Sequence, residues 1–81
     1  MQLPQINING TDARDLLTDY MRAKKALEAA ADALSAAWPH GRDYQTLEPG
    51  AHQRASNEHA ARLTKVREVL AEIETIAEYL V

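Results

Sequence analysis

Residues 39–50 read Pro-His-Gly-Arg-Asp-Tyr-Gln-Thr-Leu-Glu-Pro-Gly, and this stretch divides the chain. It holds two of the three prolines and two of the three glycines in 81 residues. Pro4 and Gly10 lie near the N-terminus, so the segments on either side of 39–50 are free of both breakers. Pro39 disfavours helical geometry at Trp38, which places the end of a preceding helix there. Pro49 suits the first turn of a following one.

Upstream, the apolar residues Ala13, Leu17, Tyr20, Leu27, Ala31, Leu34 and Trp38 recur in steps near three and four. Leu16, Ala23, Ala30 and Ala37 widen this stripe, and Lys24 interrupts it. Such spacing makes one helix face that packs against another helix. Thr11 or Asp12 can cap the N-terminus, and Asp12 and Asp15 suit the helix dipole. Downstream, His59, Leu63, Val66, Leu70, Ile73, Ala77 and Leu80 form a second seam, with Val69 and Ile76 as a further row. The reading is therefore all-α: an antiparallel, coiled-coil-like two-helix hairpin in a single domain. Its parts are an arm over 1–10, helix one over 11–38, a turn over 39–48 and helix two over 49–81. Within the arm, Gln5 to Asn9 alternates polar and apolar residues, so Ile6 and Ile8 anchor it to the helices or pair it with a second copy.

Two helices alone make a thin core, and a domain this small is marginal by itself. A helical-bundle homo-oligomer is the expected remedy, with Ile6, Ile8, Val69 and Ile76 as interface candidates. Nine Lys and Arg oppose twelve Asp and Glu, for a net charge of −3. That balance disfavours nucleic-acid binding. No apolar run spans a membrane, and the N-terminus lacks the pattern of an export signal. With no cysteine, a cytoplasmic location is expected, and thiol catalysis and disulfides are excluded. His40, His52 and His59 lack metal-ligand spacing, and no Gly-rich phosphate loop or nucleophile elbow occurs. Neither an enzyme nor a cofactor or metal site is indicated.

Two features carry functional candidates. A hairpin turning near Tyr44 sets residue i beside about residue 88 − i. That register clusters Arg22, Lys24 and Lys25 with Arg62, Lys65 and Arg67 in a basic middle and leaves the open end acidic. Lys24, Arg62 and Lys65, with Arg42, would then grip an anion or nucleotide. The plainer alternatives are ordinary surface charge, and a Lys24 that snorkels to water or fixes register. The second feature is the turn itself. Trp38, His40, Arg42 and Tyr44 are residue types that dominate binding hot spots, so they are partner-recognition candidates. The architectural alternative has Trp38 and Tyr44 plugging the end of the core.

The turn Pro39-His40-Gly41-Arg42-Asp43-Tyr44 resembles a pattern in small helical proteins of tailed phages and prophages. The resemblance extends over the chain, from Asn9-Gly10 through a Leu/Tyr/Ala helix to Glu58-His59-Ala60-Ala61-Arg62-Leu63. It implies a phage origin and assigns no functional residue. Small acidic phage proteins often inhibit or adapt host machinery, including defence enzymes, and some sequester nucleotide signals. The expectation is a non-enzymatic, oligomeric interaction protein that modulates a host or phage protein. The alternatives are an anion-sequestering oligomer and a virion assembly component.

Overall fold

The computed structural model describes residues 1–5 and 12–81. Ile6 and Ile8, the arm alternation and Thr11 lie outside the described residues. Two helices, α1 (Ala13–Ala36) and α2 (Ala51–Leu80), run antiparallel and pack against each other. Among the described residues there is no strand. No helix is long and apolar enough to cross a membrane.

Asp12 caps α1: its side chain accepts from the Arg14 amide at 3.0 Å, and its carbonyl accepts from Asp15 and Leu16. At the other end, Ala37 donates to the Ala33 carbonyl and closes the helix one residue before Trp38. The chain then makes a short 3-10 turn over Gly41–Tyr44. Pro49 does not enter α2. Gly50 is the N-cap instead, at φ 89°, a left-handed conformation that suits a residue without Cβ. It has no side chain to satisfy the first amides. The Arg54 side chain pairs with Glu48 across this entry.

The seams read from the periodicity are the ones that meet. Ala31, His59, Leu63, Ala77 and Leu80 are buried, and Leu17, Tyr20, Leu27, Leu34, Val66, Leu70 and Ile73 are half-buried. Ile76 also turns inward, at 8% exposure, so within one chain it belongs to the core rather than to a free interface. Its place three residues after Ile73 and four before Leu80 puts it in the seam. Val69 stays 46% exposed.

The register differs from the expected one. Trp38 meets His59, and Met21 and Lys24 share a groove with Glu74, Ala77 and Glu78. Facing positions therefore total about 93 where His59 reaches the Leu34 carbonyl and about 98 in the open-end groove, rather than 88, which slides one helix along the other by roughly one to three turns. The cause is the connection. It does not bridge two level helix ends but folds down along the first turns of α2, where His52 bonds the Pro39 carbonyl and Tyr44 stacks on His52. The first two turns of α2 thus project beyond α1, and the molecule is a rod of 61 × 20 × 15 Å.

Candidate functional site

The turn end is built on two histidines one heptad apart on α2. A helix that stops before a proline leaves its last carbonyls without amide partners. His59 supplies one: Nε2 lies 2.6 Å from the Leu34 carbonyl, so that nitrogen carries the hydrogen and donates. The His59 ring is buried and stands edge-on to Trp38, with centroids 5.2 Å apart. Two turns earlier, His52 Nε2 lies 3.1 Å from the Pro39 carbonyl, and its ring tilts against Tyr44 at 5.8 Å. Each histidine thus joins a carbonyl of the departing chain to an aromatic ring of the turn.

This arrangement sorts the recognition candidates. Tyr44 is half-buried, while His40 and Arg42 are exposed. Trp38 gives one edge to His59 yet remains 41% exposed. Trp38, Pro39, His40 and Gly41 line an open cavity of about 450 Å³ with Ser35, Ala36 and His52. The tip therefore presents an aromatic surface with polar edges, held from beneath by α2.

The anion candidates are not brought together in one chain. Lys24 is half-buried, 3.9 Å from Glu28, and lines the open-end groove with Glu74 and Glu78. In that groove, about 140 Å³, Lys24 meets two glutamates and none of the other candidate cations. Arg62 pairs with Glu58 at 3.7 Å, and Lys65 is exposed. With the observed register these two lie roughly 14–18 Å along the rod from Lys24, at 1.5 Å per residue. Arg42 sits farther away, on the turn. The basic middle was a product of the expected register and disappears with it. Among the described residues no group of three His, Asp or Glu gathers as a metal site would require.

Another surface was not singled out by the sequence. On the flank of α1, Leu17, Thr18, Met21, Arg22, Lys25 and Glu28 line an open, mainly apolar groove of about 520 Å³. Met21 is 46% exposed there. The signal available beforehand was the four-residue step from Leu17 to Met21, which lies beside the main stripe rather than within it.

Comparison of the chain with protein-family models, with curated proteins and with solved structures finds no match.

Proposed function

We propose that this chain is a non-enzymatic, phage-type interaction protein that oligomerises in the bacterial cytoplasm and modulates a host or phage protein, a host-defence component being one such target. The observation that carries the reading is apolar surface left over after folding. No side chain among the described residues is fully buried, yet Met21, Trp38, Leu47, Val69 and Tyr79 remain exposed along the rod. A small helical domain with so little core gains stability by covering that surface with other protein. The turn tip adds a rigid aromatic, Trp38, of the type that anchors interfaces.

Light scattering at micromolar concentration, with a pull-down from bacterial lysate, tests this reading. An oligomer, and a stoichiometric partner that Trp38→Ala releases, are expected. A stable monomer with no partner would sink the proposal. The nucleotide-sequestering alternative draws no support from a single chain, because its cations stand at separate levels of the rod. A virion role would require large homo-oligomers that copurify with particles.

A further inference from the structure

We infer that the outer flank of α1 is a homotypic site: α1 of a second copy packs on it antiparallel, with the two-fold axis between Lys25 and Glu28. The inference rests on the reading of the chain as an oligomeric interaction protein, and it names the partner and the geometry.

The first argument is charge. Positions 14, 18, 21, 25, 28 and 32 follow one another in steps of three and four, so they lie along one side of α1. Along that side, Arg14 and Lys25, with Arg22 at the margin, make the first half basic. Glu28 and Asp32 make the second half acidic. The sign reverses once, between Lys25 and Glu28. A surface of this kind is its own complement when reversed, which is what an isologous two-fold contact demands. The antiparallel copy brings Lys25 opposite Glu28 and Arg22 opposite Asp32, twice over. A parallel copy would set like charges against like. All four side chains are exposed, and Arg22, Lys25 and Asp32 make no ion pair among the described residues. Glu28 has only the 3.9 Å contact with Lys24.

The second argument is shape. The large apolar side chains of the groove, Leu17 and Met21, fall in the basic half. The acidic half offers Ala29, Ser35 and Ala36, all exposed. Reversal sets large residues against small ones, as close helix packing requires. Leu17 and Thr18 then come level with Ser35 and Ala36 of the second copy. Leu17 and Met21 lie where this flank borders α2, and the second copy covers the part of them that α2 leaves open.

Cysteine cross-linking reads the geometry directly, because the chain has no cysteine of its own. Thr18→Cys and Ala36→Cys are prepared separately and mixed under mild oxidation. The mixture should give the heterodisulfide at least about tenfold faster than either variant alone, because Thr18 and its own copy stand roughly 27 Å apart along the axis. Rapid self-linking of Thr18→Cys, or no heterodisulfide in a chain that light scattering shows to be dimeric, overturns the inference and leaves the oligomer reading standing. A monomer at about 100 μM, an affinity weaker than specific dimers show, removes both. As a second readout, Lys25→Glu should weaken association about tenfold or more, and adding Glu28→Lys should restore it. Unchanged helical circular dichroism checks that both variants fold. Failure of the double variant to recover association also counts against the site.

Discussion

At the turn end, two histidines of α2 reach across to backbone carbonyls and brace two aromatic rings. At the open end, α1 and α2 meet through Ile76, Ala77 and Leu80 and through charged side chains in solvent. Hydrogen bonds fix position because their geometry is narrow, whereas aliphatic contact is non-directional. The turn end therefore sets the register, and the open end contributes apolar burial at whatever register the turn dictates. The helices share this work unevenly. α2 supplies five of the buried residues and α1 only Ala31, so α1 behaves as a partner laid on a longer spine.

Six substitutions can break or sharpen this contrast, each read by denaturant or thermal unfolding at fixed protein concentration, since association adds to apparent stability. Leu63→Ala removes buried volume beside the His59 contact and should cost about 3 kcal/mol. Leu80→Ala, in the last turn of α2, should cost clearly less, because a helix end relaxes around a lost side chain more readily than its middle; equal losses would erase the distinction between the ends. His59→Ala leaves the Leu34 carbonyl without its donor and Trp38 without its edge contact, for a loss of about 2 kcal/mol. A double-mutant cycle with Trp38→Ala should show coupling of roughly 1 kcal/mol, and additive losses would mean the two rings do not cooperate. Gly50→Ala forces a Cβ into the left-handed region and should cost about 1 kcal/mol. An unchanged midpoint there would mean the entry to α2 has relaxed. Lys24→Met should shift stability by no more than about 0.5 kcal/mol, the scale of an exposed ion pair. A larger loss would move part of the register control to the open end.

Both helices were legible in the sequence because burial imposes a period of 3.6 and because Pro39 and Gly50 punctuate the chain. The seam was legible almost residue by residue, including His59. Register was not. Periodicity says which face is buried and nothing about how far one helix slides along the other. That depends on how residues 37–50 fold, and their contacts with α2 are tertiary. The error carried into the candidate site: six cations gathered under one register disperse under another, and Lys24 finds Glu28, Glu74 and Glu78 nearby instead. The spacing of the histidines argues against a metal site and carries no sign of their use as carbonyl donors. Pro39 hints that carbonyls lie open above it, but His59 reaches Leu34 only because the helices slide beyond the expected register.

The overhang of α2 also changes how this molecule moves through water. Its radius of gyration is 18.3 Å. A compact chain of this length would have roughly 12 Å, and 18.3 Å suits a globule of about 260 residues. Passing through a gel matrix, one such rod would elute near the position of three compact copies. Column retention alone would then report a trimer from a solution of single chains, so subunit counts for this protein rest on mass measured by scattering or sedimentation.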